Sequence, residues 1–291
     1  MLQKQVWLAQ LMNNFYPQAS FLNFARDFSA FVDNDKLNMT EVGVDPDVLI
    51  NNNTYPIDVK ERTDRNISIE LDLYETENTL VREPEAVELA YDKLESVIYG
   101  HRQALVLKSA MKAAHAFTPQ KNSDNTPVII TTGEDNGDGF KRLLPADILK
   151  LKRKFDDLDI NIEGRNLVLH PAHLEDLILY DLKSFKDITE WKEGQPSKFA
   201  GFNILQFSKM PIFNSSTMEK VSFGAEKAPA TDTYCSFAFS SDEVMKADGE
   251  PKMYMSEHDP KERATIIGFD KRFVALPIRN KGIGAIVTAK V

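Results

Sequence analysis

The residues best able to do chemistry in this chain are five histidines, His101, His115, His170, His173 and His258, and one cysteine, Cys235. Only His170 and His173 lie close together, in the run HPAH, with Glu175 and Asp176 just beyond. At a strand-to-helix corner these four side chains could converge, and the chemistry would be zinc binding or general-base catalysis. Either needs further partners, and the sequence nominates none. Helix-start and turn packing is the expectation for the pair. His101 and His115, fourteen residues apart on one expected helix, are read as satisfied or solvent-facing.

Other polar clusters read the same way. GEDNGDGF at 133–140 is acidic and glycine-rich, but it lacks the register and closing Glu of a twelve-residue calcium loop, so an exposed loop is expected. Asp156, Asp157 and Asp159 read as a solvated helix end. Cys235, in DTYCSFAF, reads as a small buried hydrophobe on a strand. No G-x-G-x-x-G, Walker A, H-E-x-x-H, G-x-S-x-G or C-x-x-C occurs. No catalytic, cofactor-binding or metal residue is therefore assigned, and no cofactor is expected.

The bulk properties exclude further classes. The 291 residues suffice for a sizeable core, and are enough to be split between two domains. Hydrophobic residues at 42% and charged residues at 27% are those of a folded chain, not a disordered one. The net charge of −9 argues against tight wrapping of nucleic acid, which needs clustered positive charge, while allowing an acidic wall for DNA to lie against. A single cysteine permits no intrachain disulfide and fits a reducing compartment. No signal peptide is expected from MLQKQVWLAQLMNNFYPQ, and no stretch approaches 18 apolar residues.

The elements that must position these residues are legible in the periodicity. Residues 1–39 carry Val6, Trp7, Leu8, Leu11, Met12 and Phe15 at helical spacing, then Phe21, Leu22, Phe24, Phe28 and Phe31. So aromatic an end needs burial against its own body or a neighbour, and a neighbour is the expectation. Residues 55–60 and 67–73 alternate with period two around the polar TDRN, which predicts a projecting hairpin. Its face of Ile67, Ile69, Leu71 and Leu73 is expected to cover a partner subunit and to leave the subunit's own core alone. Residues 83–117 predict one long helix, opened by Pro84 and followed by Pro119. At ~1.5 Å per residue its roughly 34 residues would span about 50 Å, a strut. PVIITT predicts a short strand, PADILKLKRKFDDL an amphipathic helix, NLVLH a buried strand and PAHLEDLILYDL a helix opened by Pro171. FAGFNILQFS, TYCSFAFS, RATIIGFDKRFVALPI and GIGAIV predict strands.

That order resembles the HK97-fold major capsid proteins of tailed bacteriophages. The likeness lies in LDLYETENTLVREPEAVELAYDKLESVIYGHRQAL, where a hairpin strand leads into a long helix. It continues in GRNLVLHPAHLEDLI, FAGFNILQFSKMP and KERATIIGFDKRFVALPI. It runs from about residue 15 to 291. The resemblance implies an α+β, HK97-like capsid fold with N-terminal arm, extended E-loop hairpin, long spine helix, P-domain and A-domain. The arm would be 1–39, the E-loop 40–80, the P-domain with its spine helix 81–124 and the A-domain 125–240. Residues 241–291 would be return strands shared by the two domains.

The resemblance also implies a non-enzymatic subunit that self-assembles through pentamers and hexamers into a phage head around double-stranded DNA. The head is icosahedral or prolate. Portal, separate scaffolding protein and head-decoration or connector proteins would be partners. DNA contact would be non-specific, with no membrane. Assembly would occur in the host bacterial cytoplasm and the product would be the virion capsid. No leader of about a hundred residues precedes the arm, and Lys60 is the nearest candidate for a covalent cross-link, which is not expected. An encapsulin-like nanocompartment shell is the close alternative, and a soluble enzyme the distant one.

Overall fold

The structure is a computed structural model. It describes residues 21–41, 65–82, 93–180, 190–192, 195–228, 231–259, 262 and 264–291. Among them the chain builds two main sheets joined by one helix. The strands in chain order are β1 (Arg26–Asp27), β2 (Val32–Asp33), β3 (Lys36–Glu41), β4 (Arg65–Glu70), β5 (Asp72–Glu75), β6 (Thr79–Arg82) and β7 (Val128–Ile130). They continue as β8 (Arg165–Leu169), β9 (Glu190–Lys192), β10 (Gln195–Phe199), β11 (Phe202–Gln206), β12 (Ile212–Asn214) and β13 (Asp232–Ser240). The last are β14 (Val244–Asp248), β15 (Lys252–Asp259), β16 (Ala264–Pro277) and β17 (Ile283–Val287). The helices are α1 (Lys93–Phe117), α2 (Pro145–Asp157) and α3 (Pro171–Leu179).

The first sheet is organised by β16. Antiparallel β14 and β15 line one of its edges end to end, and β5 and β6 line the other. Successive side chains of a strand point to opposite faces. On β16, Ile267, Phe269 and Phe273 therefore lie under α1, packed with Ile98, Leu105, Ala110 and Met253. Val274 faces the other way, into a cluster with Leu37, Leu71, Met245 and Ala247.

The second sheet runs β7-β17-β13-β8-β11-β10-β9, with β12 paired to β13. Helices α2 and α3 cover one face: Ile148, Leu151, Phe155, Leu174 and Leu177 pack on Leu167, Leu169, Ala238 and Ile286. The opposite face presents Val168, Phe237 and Phe239 to the last turns of α1 at Ala113, Ala114 and Phe117. One helix thus closes both cores. Its described 25 residues span about 37 Å. The segment 83–92, part of the predicted helix, lies outside the described residues.

Two expectations are corrected. The strand at 65–70 pairs with β3, matching Leu37 with Ile69 and Met39 with Ile67, a partner that the period-two pattern did not name. Tyr55, Ile57, Val59 and Lys60 lie outside the described residues. The predicted run 67–73 is also divided, because β4 belongs to a three-stranded sheet with β2 and β3 while β5 joins β16. Leu71, at the division, is 3% exposed and packs within its own subunit. The second correction concerns the arm. Phe21 and Leu22 sit in the chain's own core beside Phe117, Phe237 and Phe239, so they need no neighbour. Phe31 alone of the described arm aromatics is largely open, at 65%.

Candidate functional site

His170 follows β8 and caps α3: its Nδ1 accepts the Ala172 amide at 3.2 Å, and its ring stacks on Tyr234 at 4.5 Å. Pro171 opens the helix, so the missing N–H costs nothing there. One turn later His173 is wholly buried. Its Nδ1 lies 2.6 Å from Ser236 Oγ and its Nε2 lies 2.8 Å from Thr288 Oγ1. Ser236 Oγ also accepts the His170 amide at 2.9 Å. The cluster therefore ties α3 to β13 and to the residue after β17.

Burial first, and His170 second, drive the His173 pKa down to about 3. A neutral imidazole offers one donor and one acceptor, and the two hydroxyls use both. Glu175 and Asp176 do not join the histidines. Asp176 turns to the Leu143 amide at 3.0 Å and to Arg142 Nη1 at 3.2 Å, and burial holds its carboxyl above the usual range. For His173 the arrangement is a packing lock, with both ring nitrogens engaged by hydroxyls.

The remaining sequence candidates are dispersed. His101 is buried beside Phe269, and His115 Nε2 meets Val221 O at 2.9 Å. The side chain of His258 lies outside the described residues. In the 133–140 loop, Asp135 and Asn136 accept amide protons from Gly137, Gly139, Asp138 and Phe140. Asp156 pairs with Lys152 at 2.5 Å and Arg165 at 2.6 Å. Asp159 sits in a turn at φ 53°. Cys235 is buried, its thiol pushed up by desolvation and donating to Pro211 O at 3.3 Å. Among the described residues, no three His, Cys, Asp or Glu side chains are gathered to hold a metal ion.

Sequence reasoning missed the buried cations. Lys271 has no exposed surface and pairs with Asp248, and Lys246 lies 3.9 Å from Asp27. Lys220 is nearly buried and donates to carbonyls at the end of α1, His115 O at 2.6 Å and, just past the helix, Thr118 O at 2.5 Å. It satisfies acceptors that a helix end leaves orphaned. Desolvation brings its ammonium pKa down to about 8. The available signal was parity: Lys271 shares the α1-facing side of β16 with Phe269 and Phe273.

Larger surfaces are apolar. A cleft of about 780 Å³ separates β5 and β6 from α1, lined by Leu73, Val97, Gly100, Ala104, Leu105 and Phe223 among others. Around this half of the molecule Leu73, Leu80, Tyr99, Leu107 and Tyr254 are exposed.

No protein-family model matches the sequence, and no curated protein matches it. Solved structures do match. A capsid chain of the cyanophage P-SCSP1u superposes with TM-score 0.67 at 14% identity, covering 95% of this chain and 90% of that one. A chain from Mycobacterium phage Che8 gives 0.66 at 13% identity, covering 92% and 91%. The virus-like particle from Pyrococcus furiosus gives 0.59 at 10% identity, covering 98% and 100%. The mixed helix-and-sheet architecture is thus the HK97-like capsid fold. Within that class the similarity extends to phage capsids and to a virus-like particle.

Proposed function

We propose that this chain is a major capsid protein, a structural and non-enzymatic subunit that self-assembles into the shell of a phage head. The single observation that carries the reading is the match along nearly the whole chain to a phage capsid subunit, with 95% and 90% of the two chains covered. Exposed Leu73, Leu80, Tyr99 and Leu107 supply apolar surface of the kind that obligate interfaces bury. The working surface is then the subunit's outside, and its chemistry is complementarity between copies.

In this reading residues 1–39 are the arm, 40–80 the E-loop, 81–124 the P-domain with α1 as spine helix, and 125–240 the A-domain. Residues 241–291 return through both, which fits β14, β15 and β16 in one sheet and β17 in the other. Copies form pentamers and hexamers and close around double-stranded DNA, with portal, scaffolding and decoration or connector proteins as partners. The shell forms in the host cytoplasm and ends in the virion.

Negative-stain microscopy of the expressed chain tests this. Closed shells, rings or sheets are expected, and a monodisperse small oligomer at high concentration would refute it. A second reading, a cargo compartment, draws on the full coverage of the Pyrococcus furiosus particle chain. The two separate on contents: nuclease-resistant double-stranded DNA in particles recovered from the natural source marks a head, and an enclosed enzyme marks a compartment.

A further inference from the structure

Residues 21–37 wrap around one edge of the β16 sheet. Under α1, Phe21 meets Phe117, Phe207 and Phe237 edge-on, with centroids 6.2, 5.4 and 5.4 Å apart. At the edge, β1 runs parallel to β14, matching Arg26 with Met245 and Asp27 with Lys246. The Phe28 amide donates to Lys246 O at 2.8 Å, and the Asp248 amide donates to Ser29 Oγ at 2.9 Å. Beyond the edge, Phe28, Val32 and Leu37 pack with Leu71, Met245 and Val274. Phe273 and Val274 are consecutive on β16, so the two ends of this segment occupy opposite faces of one sheet.

The far end carries the base of the hairpin. Asn34 and Asp35, at φ 48° and 64°, make the tight turn from β2 into β3 that two positive-φ residues favour. Asp35 Oδ2 lies 3.1 Å from Arg272 Nε, and its carbonyl accepts the Leu71 amide at 3.1 Å. β3 then holds β4 along six matched pairs.

We propose that residues 21–37 are a clasp that couples the seating of Phe21 under α1 to the seating of the β3–β4 base on the opposite face. A pull that unseats the plug frees the hairpin base, and a load on the hairpin is felt at the plug. The coupling belongs to the single chain. Its use, setting the hairpin's stance during assembly, rests on the shell-forming reading.

Amide hydrogen exchange on the unassembled full-length chain tests the coupling. Phe21→Ala should speed exchange in 36–41 and 65–70 by about tenfold or more, while helix α2, packed in a separate cluster, changes by less than about twofold. Linkage is reciprocal, so Leu37→Ala should loosen residues 21–25 by a similar factor. Loosening confined to the mutated end in either variant overturns the clasp. Should Phe21→Ala unfold the chain, Phe21→Leu and Ser29→Ala apply the same test with smaller expected factors. Coupled exchange in a chain that never assembles would leave the clasp standing and remove the shell-forming reading alone.

Discussion

His173 is neutral because protonation would require both Ser236 and Thr288 to accept from it in a site without water access. The folded chain therefore binds this proton less readily than the unfolded one, with pKa about 3 against the ordinary 6.5. Its contribution to stability is complete above about pH 6.5 and is lost as pH falls toward 3. Burial lowers His101, His115 and His170 in the same direction, while the raised Asp176 opposes them. Melting temperatures of unassembled subunits should fall steadily from pH 7 to pH 4.5, and the fall should be shallower in His173→Gln. A parallel fall in both would assign the acid sensitivity elsewhere.

Leu71 and Leu73 form a sharper pair at the same scale. Leu71 is 3% exposed and Leu73 is 46% exposed, two residues apart. Leu71→Asp loses about 1.5–3 kcal/mol of burial and adds a charge to an apolar cluster, so a loss above about 4 kcal/mol is expected. Leu73→Asp should stay within about 0.5 kcal/mol in the isolated subunit. Denaturant melts of both variants check this.

At the scale of elements, α2 rests on β17 through the absence of a side chain. A Cβ at Gly284 would come within 2.9 Å of Leu151 Cδ1 and of Phe155 Cε2, both wholly buried. Gly284→Ala should cost about 1–3 kcal/mol, read from denaturant midpoints, because a packed core cannot open around one methyl. The arm from Phe21 on is likewise part of the body. Deleting residues 1–28 removes Phe21, Leu22 and Ala25 from the core and leaves an apolar socket between Phe117, Phe237 and Phe239. Circular dichroism melts should show a subunit strongly destabilised before any question of assembly arises. A deletion chain that melts like the intact one would return the arm to a neighbour.

For the whole molecule, the shell-forming reading separates stability from assembly. Leu73→Asp combined with Tyr99→Lys changes two exposed residues near the α1 cleft. Sedimentation should find the subunit intact and the yield of closed particles lowered at least about tenfold, as expected for charges placed in an apolar interface. Normal particle yield would move the contacts between copies to another surface.

The sequence by itself determined the parts whose signal is local. Pro171 marked a helix start, apolar strand-like runs marked β16, β13 and β17, and the HPAH run gave a capped helix start. The order of these parts was enough to resemble the capsid fold. Local pattern stopped at β14 and β15, where VMKAD and KMYMSEHD interrupt their apolar residues with charges. Only the tertiary structure showed Lys246 and Asp248 meeting Asp27 and Lys271 across strands, which lets charged residues lie inside. It also decided which partner β4 takes, because the period-two pattern that forms a strand says nothing about which other strand shares its hydrogen bonds. Aromatic content made burial of the arm obligatory, but whether its own subunit or another supplied the socket depended on a cavity assembled from α1, β11 and β13. Those walls lie some 100 to 220 residues away along the chain.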